Sequence, residues 1–198
     1  MSSLDATTLE QAAKLNVLDS VGQQVPFGSL IEGGNGTIVV FIRHFFCGSC
    51  QAYVAQLASV KAEALEKAGK KIVIIGCGDY QPIKNYGETT GYKGPIYADP
   101  SRALFNVFGL IQNLETTPKG EQKKSYLTKS YLGNVLSSIW QGPLKSPHHL
   151  GKQGNISQLG GDFVFNQDGQ CTFASRMKHT EDHVEVADLM REAGVEYP

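Results

Sequence analysis

The sequence predicts an α/β protein built as a three-layer sandwich, with a mixed central β-sheet between two layers of helices. Three observations predict this class. Two short apolar runs rich in β-branched residues, 37–43 and 71–76, have the composition of buried strands. Between them, 48–68 repeats its apolar residues at helical spacing, which predicts a strand–helix–strand unit with parallel strands. Near the end of the chain, 162–165 and 171–174 flank a turn that contains glycine, as in an antiparallel hairpin.

Shorter patterns predict the remaining elements. Residues 1–20 contain a short helix, and the alternation within 22–30 is typical of a β-hairpin or an edge strand. The other predicted elements are a helix at 82–90, a strand at 95–98, a helix with Asp99 as N-cap and Pro100 at its first position, and a last helix from near Thr180 to Gly194. The order of all these elements is that of the thioredoxin-like fold.

The segment 112–160 is predicted to be an insertion before the final hairpin. Its first part is polar, 125–140 has helical period, and the rest is a long loop that contains His148-His149. Loops of this length are usually functional or mobile. We predict a single domain over 1–198, in which 112–160 is an insertion or a long loop with a helix.

Composition excludes several classes of function. The chain has 198 residues with 18 basic and 19 acidic side chains, and this balance argues against a nucleic-acid surface or a polybasic membrane anchor. No apolar run approaches the roughly 20 residues that span a bilayer, and the first residues are polar, unlike a secretory signal. We therefore expect a cytoplasmic protein, where structural disulfides are rare and four cysteines have other uses.

The most informative motif is Cys47-Gly48-Ser49-Cys50, at the junction between the first apolar run and the helix. Unpaired N–H groups and the dipole of a helix N-terminus favour negative charge there, so the first sulfur is placed to ionise. The thiolate is the reactive form of cysteine, and the motif therefore indicates thiol redox chemistry. Half of a zinc site and a simple packing pair are the alternatives, but the sequence has no second C-x-x-C to complete a zinc site.

Four stretches, taken together, resemble the peroxiredoxin-like branch of the AhpC/TSA superfamily. That branch includes the selenoprotein U group, prostamide/prostaglandin F synthase and the AhpC/TSA antioxidant-enzyme domain-containing proteins. The resemblance covers about residues 20–192. The matching stretches are 40–50 (VFIRHFFCGSC), 97–110 (Tyr-Ala-Asp-Pro through Phe-Gly-Leu), 160–169 (Gly-Gly-Asp-Phe-Val-Phe to Asp-Gly) and 176–183 (ending Thr-Glu-Asp-His).

The resemblance implies roles for the two cysteines. Selenocysteine members carry selenium at the position that matches Cys47, which makes Cys47 the expected nucleophile. Cys50, one helical turn further, is then placed to resolve a sulfenate or a mixed disulfide. The chain departs from the patterns of two groups. From typical peroxiredoxins it differs in having His44 in place of threonine and in lacking an upstream proline; from thioredoxins it differs in having Leu159-Gly160-Gly161 in place of the proline that precedes the final hairpin.

Two arginines are candidate partners of the sulfur. Arg43 ends the first predicted strand, four residues before Cys47, where a guanidinium stabilises a thiolate or holds a peroxide oxygen. A side chain that extends to solvent at the rim of the sheet is the alternative. Arg176 follows the last predicted strand and, in this fold, is placed to reach the same pocket.

The other titratable candidates have structural alternatives. His44 is either a base beside the thiol or a hydrogen-bonded structural residue, and His183 is expected in the first turn of the last helix with a structural partner. Cys77 closes the second strand and is either a third redox thiol or a packing residue, and Cys171 is expected to act as a small hydrophobe.

These observations predict a thiol-dependent oxidoreductase with a Cys47–Cys50 dithiol/disulfide cycle, with Arg43 and Arg176 as further catalytic residues. The favoured substrate is a hydroperoxide or another small organic molecule, and the resemblance implies thioredoxin or glutathione as electron donor. A reductase of protein disulfides or of prostaglandin-like endoperoxides, and a non-enzymatic redox-sensing module, are the alternatives. We expect no cofactor, metal, nucleic acid or membrane partner, and a homodimer is one of the open oligomeric states.

Overall fold

The computed structural model describes residues 4–127 and 151–198, and it confirms the three-layer α/β architecture. The described residues form a mixed sheet of seven strands in the order β2-β1-β5-β4-β3-β6-β7. The strands are β1 (Asn16–Leu18), β2 (Gln24–Pro26), β3 (Gly36–Ile42), β4 (Lys70–Gly76), β5 (Ile96–Ala98), β6 (Gly161–Phe165) and β7 (Cys171–Arg176).

Strand β3 is the centre of the sheet. All seven of its residues are buried, which explains why it reads as an unbroken apolar run rather than as an alternating one. It pairs in parallel with β4, with Ile38 opposite Ile72, and antiparallel with β6, with Val40 opposite Asp162. The predicted strand–helix–strand unit and the predicted final hairpin are therefore confirmed, and the carboxyl end of β3 lies in the middle of the sheet.

Helices cover both faces of this sheet. They are α1 (Ala6–Ala13), α2 (Gly28–Ile31), α3 (Gly48–Leu57), α4 (Ala62–Lys67), α5 (Ile83–Thr90), α6 (Ala103–Val107) and α7 (Val186–Glu192), with a 3-10 turn at Ser125–Leu127. Alternate residues of β3 enter different cores. Val40 packs in the core under α3, α5 and α7, whereas Phe41 packs in the core under α1, α2 and α6. Both cysteines of the C-x-x-C motif belong to the first of these cores.

The single helix predicted over 48–68 is wrong, because the chain forms two helices there. Helix α3 ends at Leu57 and α4 begins at Ala62. Between them, the Ser59 hydroxyl donates to the Gln56 carbonyl at 2.7 Å, a local bond that competes with continued helix. The Lys61 backbone is extended, which starts α4 in a new direction.

Two predicted helix starts are also wrong. Helix α6 begins at Ala103 instead of Pro100, because Arg102 has a left-handed backbone with φ 58° that no α-helix includes. The Asp99 carboxylate still accepts from the Leu104 N–H at 2.9 Å, so the predicted residue does bond to the start of the helix. Helix α7 begins at Val186 instead of near Thr180, since the Thr180 N–H donates to the Glu115 carbonyl and is tied to another segment.

The segment 112–160 is only partly described. Most of the helix predicted over 125–140, together with His148-His149, lies outside the described residues. Beyond it, 151–159 runs back along 110–113, where Gln112 and Gln158 form an isolated β-bridge. Within the described part of the chain, no helix has the length and apolar character that crossing a bilayer requires.

Candidate active site

The candidate site forms where β3 ends and α3 begins. Cys47 is the N-cap of α3, with an extended backbone, and its Sγ accepts from the Cys50 backbone N–H at 3.5 Å. This sulfur therefore faces the first unpaired N–H groups of the helix, where the helix dipole favours negative charge. The side chains of Cys47 and Cys50 are almost fully buried, with 4% and 0% of their surface exposed.

Arg43 brings a permanent positive charge to the Cys47 sulfur. Its Nη1 donates to Cys47 Sγ at 3.3 Å, its Nη2 to the Ile156 carbonyl at 2.6 Å, and its Nε to the Gln158 carbonyl at 3.2 Å. The residue is only 7% exposed, which does not fit an arginine that extends to solvent. The two carbonyls fix the guanidinium plane, so its third contact with the sulfur is held in place.

Cys50 lies one helical turn below Cys47 and has a different environment. The Arg43 backbone N–H donates to Cys50 Sγ at 3.4 Å. Burial, followed by the hydrogen bond to Cys47 and the negative charge on that neighbour, raises the pKa of the Cys50 thiol well above its ordinary value. Cys50 therefore stays a protonated thiol at neutral pH.

The surroundings of Cys47 act in the opposite direction. The hydrogen bond from the Cys50 thiol has the largest effect and lowers the pKa of Cys47 well below its ordinary value, against the opposing effect of burial. His44 when it is protonated, the positive charge of Arg43 and the Ser49 hydroxyl lower the pKa of Cys47 further. The pair thus divides into an easily ionised outer sulfur and a protonated inner one.

His44 is a neighbour of this site whose ring is buried. Its Nδ1 has no hydrogen-bond partner among the residues that the structure describes. Burial, with a smaller contribution from Arg43, lowers the pKa of His44, and the charge of Cys47 only partly opposes this shift. At neutral pH the imidazole is therefore mainly neutral, and Arg43 is the cation that faces the thiolate.

Ser49 was not singled out in the sequence, although it lies between the two cysteines. Its Oγ is 3.2 Å from Cys47 Sγ and donates to the Thr180 carbonyl at 3.0 Å. A hydroxyl one residue before Cys50, in the first turn of the helix, is the sequence signal for this contact.

The loop 43–47 is held by bonds from three directions. The Cys77 thiol donates to the Arg43 carbonyl at 2.8 Å, and the Phe45 N–H donates to the Gln153 carbonyl at 3.0 Å. The Gln51 side-chain amide donates to the Phe45 carbonyl at 2.9 Å. Burial raises the pKa of Cys77 to about 11, so this cysteine lies next to the site as a protonated hydrogen-bond donor.

The structure does not bring Arg176 together with the cysteines. In the β6–β7 pairing Arg176 is opposite Gly161, on the same sheet face as Phe163, and this is the face that packs away from Cys47. Its Nε donates to the Phe108 carbonyl at 2.6 Å and its guanidinium lies 5.6 Å from the centre of the Phe163 ring. Arg176 is therefore placed to hold β7 against the end of α6.

A buried acid–imidazole pair lies behind α3. His183 Nδ1 is 3.1 and 3.2 Å from the two carboxylate oxygens of Asp162, and the ring stacks on Tyr53 with centroids 4.3 Å apart. Asp162 also accepts from the Val184 N–H at 3.0 Å. His183 has the structural partner that we expected, although not within a helix. A single acidic residue in an otherwise apolar strand was the signal for Asp162.

Two features lie apart from the candidate site: the fourth cysteine of the chain, Cys171, and the arrangement of the side chains that could bind a metal ion. Cys171 is buried on β7 and donates to the Phe173 carbonyl at 3.1 Å. Within residues 4–127 and 151–198, no cluster of three or more His, Cys, Asp or Glu side chains is arranged to hold a metal ion.

Known proteins resemble the chain in both sequence and structure. The family model of the AhpC/TSA antioxidant enzyme matches residues 56–179. Human peroxiredoxin-like 2C is 31% identical over 188 residues, which cover 93% of this chain and 80% of the human protein. The Arabidopsis thaliana thioredoxin-like protein AAED1, chloroplastic, is 30% identical over 127 residues, covering 63% of this chain and 49% of that protein.

Solved structures give the same fold. Peroxidoxin BcpB from Mycobacterium tuberculosis superposes with a TM-score of 0.63 at 12% identity, covering 98% of this chain and 97% of that one. A cysteine-to-serine variant of Xanthomonas campestris peroxiredoxin Q superposes with a TM-score of 0.59 at 18% identity, covering 96% and 92%. These similarities confirm the thioredoxin-like fold. The family match and the human relative show that the chain belongs to the peroxiredoxin-like AhpC/TSA family, whose chemistry is thiol-dependent redox.

Proposed function

We propose that this protein is a thiol peroxidase that reduces hydroperoxides through a Cys47–Cys50 dithiol/disulfide cycle. The observation that carries the proposal is the asymmetry of the two sulfurs. Cys47 accepts hydrogen bonds from Arg43 and from the first turn of α3, whereas burial keeps Cys50 protonated. A nucleophilic thiolate next to a thiol that retains its proton is the arrangement that such a cycle needs.

The first step forms a sulfenic acid. The Cys47 thiolate attacks the terminal peroxide oxygen, so that an S–O bond forms as the O–O bond breaks. The departing alkoxide takes a proton from solvent and leaves as an alcohol, and Cys47 carries the hydroxyl as a sulfenic acid. Arg43, with Nη1 at 3.3 Å from the sulfur, stabilises the negative charge that moves from sulfur to oxygen.

The second step closes the disulfide. The Cys50 sulfur attacks Cys47 sulfur, the S–O bond breaks, and the Cys50 proton leaves with the hydroxyl as water. Two thiols of an external reductant then restore the dithiol and become a disulfide themselves. Thioredoxin or glutathione is the proposed reductant. Neither Arg176 nor Cys77 enters the proposed cycle. The cycle needs a single subunit, and a homodimer remains one of the open oligomeric states.

Single-cysteine variants test this cycle. Cys47→Ser should abolish hydroperoxide consumption with thioredoxin or glutathione. Cys50→Ser should consume one equivalent of peroxide and stop at a sulfenic acid that dimedone traps. Cys171→Ser is the matched control, because this thiol lies on β7 away from the site, and it should turn over like wild type. Peroxide consumption by Cys47→Ser at the wild-type rate would contradict the proposal.

Two alternatives have their own support. The same dithiol at a helix N-terminus suits a reductase of protein disulfides or endoperoxides, which would turn over those substrates faster than hydroperoxides. The near-complete burial of both sulfurs suits a redox-sensing module, which would oxidise once and slowly, without sustained turnover. Rates with a hydroperoxide, a protein disulfide and a lipid endoperoxide separate the three functions.

A cytoplasmic location is part of the proposal. Its support is that all four cysteines are free, as is usual in a reducing compartment. The name of the Arabidopsis relative places that protein in the chloroplast. Imaging of the tagged protein in its native cell decides between the cytoplasm and an organelle.

A further inference from the structure

Within the part of the chain that the structure describes, the Ser49 hydroxyl is a polar group at the Cys47 sulfur that has no step of its own in the proposed cycle. Ser49 is the second residue of α3 and is half-buried. Its Oγ has two contacts, with Cys47 Sγ at 3.2 Å and with the Thr180 carbonyl at 3.0 Å. A serine hydroxyl has a single proton, so it cannot donate fully to both atoms.

The contact between Ser49 Oγ and Cys47 Sγ has two states, which differ in the atom that donates the proton. A carbonyl oxygen only accepts, so the bond to Thr180 uses the Ser49 proton. The sulfur is then the donor to Ser49 Oγ, which requires Cys47 to be a neutral thiol. An ionised Cys47 has no proton to give, and its lone pairs would face those of the hydroxyl oxygen at 3.2 Å. Ionisation of Cys47 therefore requires the hydroxyl to turn from the carbonyl to the sulfur.

We propose that Ser49 is a further catalytic residue, whose hydroxyl donates to the Thr180 carbonyl when Cys47 is neutral and to the Cys47 sulfur when it is ionised. The thiolate then has a donor on the helix side in addition to Arg43 and the Cys50 N–H. This proposal rests on the proposed function only in taking the Cys47 thiolate as the reactive form.

The exchange also couples the site to a neighbouring segment. Thr180 is buried and belongs to 178–184, which contributes His183 to the pair behind α3. When the hydroxyl turns to the sulfur, the Thr180 carbonyl loses its donor from α3. The ionisation of Cys47 therefore changes the hydrogen bonding of a peptide group that lies 131 residues further along the chain from Ser49.

The first test is the pH profile of Cys47 alkylation by iodoacetamide, followed by peptide mass spectrometry. On the acid side of the profile, Ser49→Ala should react about tenfold more slowly, the effect of losing one hydrogen bond to a charged acceptor. Ser49→Thr keeps a hydroxyl and should stay close to wild type. Ser59→Ala removes a hydroxyl from the segment after α3 and is the matched control, with an unchanged profile.

Two results would overturn the role of the Ser49 hydroxyl as a donor to the Cys47 thiolate. A Ser49→Ala profile that superposes on that of wild type shows that the hydroxyl does not stabilise the thiolate. A Ser49→Thr variant that loses as much rate as Ser49→Ala shows that packing, not the hydroxyl, is responsible.

The second test is an NMR titration of the unaltered protein, with Cys47→Ser as the control. The amide nitrogen of Glu181 shares a peptide bond with the Thr180 carbonyl. Its ¹⁵N chemical shift should therefore change with pH, and the midpoint of that change should equal the midpoint of the Cys47 alkylation profile. The shift should lose that titration in Cys47→Ser. A Glu181 signal that ignores the Cys47 midpoint overturns the exchange of acceptors. Because neither test uses peroxide, failure of wild type to reduce peroxide would refute the proposed function and leave these results independent of it.

Discussion

Replacing Arg43 removes the permanent positive charge that faces the Cys47 sulfur. Its Nη1 is 3.3 Å from Sγ and the residue is 7% exposed, so water screens the contact little. Arg43→Met keeps most of the side-chain volume and removes the charge. A hydrogen bond to a charged group contributes about 1.5–3 kcal/mol. Since 1.36 kcal/mol corresponds to a factor of ten, the thiolate is disfavoured about 10- to 100-fold, and the pKa of Cys47 rises.

The assay is the pH profile of Cys47 alkylation. On its acid side the rate is proportional to the thiolate fraction, so the full 10- to 100-fold loss appears there as about the same loss of rate. Arg43→Lys should fall between wild type and Arg43→Met, because an ammonium keeps the charge but does not reproduce a planar guanidinium with three fixed acceptors. Circular dichroism first establishes that each variant is folded.

Arg191→Met is the control for loss of an arginine. Arg191 is exposed on α7 and pairs with Asp188 at 2.7 Å, a surface pair that contributes little. Its profile should match that of wild type. A folded Arg43→Met protein with an unchanged Cys47 profile would show that the guanidinium does not stabilise the thiolate.

The remaining predictions concern packing and the other thiols. Asp162→Ala leaves a buried imidazole and a backbone N–H without their acceptor, so urea denaturation should show a loss of about 3 kcal/mol or more in the free energy of unfolding. Asp188→Ala, at an exposed pair, should lose less than about 1 kcal/mol, and equal losses would contradict the assignment. Gly160→Ala places a methyl group against the Phe41 carbonyl oxygen of β3 and should lower the denaturation midpoint by the equivalent of about 1–3 kcal/mol. An unchanged midpoint would show that the backbone at residue 160 can move away from β3 without loss of stability. Near pH 8, a Cys77 pKa of about 11 leaves roughly a thousandth of that thiol ionised, so mass spectrometry should find Cys47 alkylated long before Cys77.

The elements that the sequence predicts well are those whose signal is local. Strands β3 and β4 contain apolar runs, as is typical of strands buried on both faces of a sheet, although Lys70 and Lys71 at the start of β4 are less buried. The bounds of both strands lie within one residue of the prediction. The position of Cys47 at a helix start follows from the same run, since α3 begins directly after the connection from β3. Arg43 reaches the sulfur because only three residues separate the two in this short connection.

The parts that the sequence does not predict depend on contacts between distant residues. Arg43 is fixed by the carbonyls of Ile156 and Gln158, which lie 113 and 115 positions away. The acidic residues Glu181 and Asp182 suit the N-terminus of a helix, but the Thr180 N–H is bound to the Glu115 carbonyl and the helix begins later. The local sequence pattern does not predict either of these contacts, because each joins residues that are far apart in the sequence.

Arg176 shows how register decides a site. Its position at the end of β7 is close to the sequence prediction, but the face on which it lies depends on pairing with β6. Opposite Gly161 it shares the face of Phe163, and a one-residue change of register would have turned it to the other core. The sequence contains no signal that fixes this choice.

The local environment keeps the Cys47 sulfur ionised while Cys50 keeps its proton. The most direct measurement is the midpoint of the alkylation profile of Cys47 in the unaltered protein, compared with free cysteine at about 8.5. We expect a midpoint well below that of free cysteine, with Cys50 unlabelled over the same range. A Cys47 midpoint at or above that of free cysteine would contradict it.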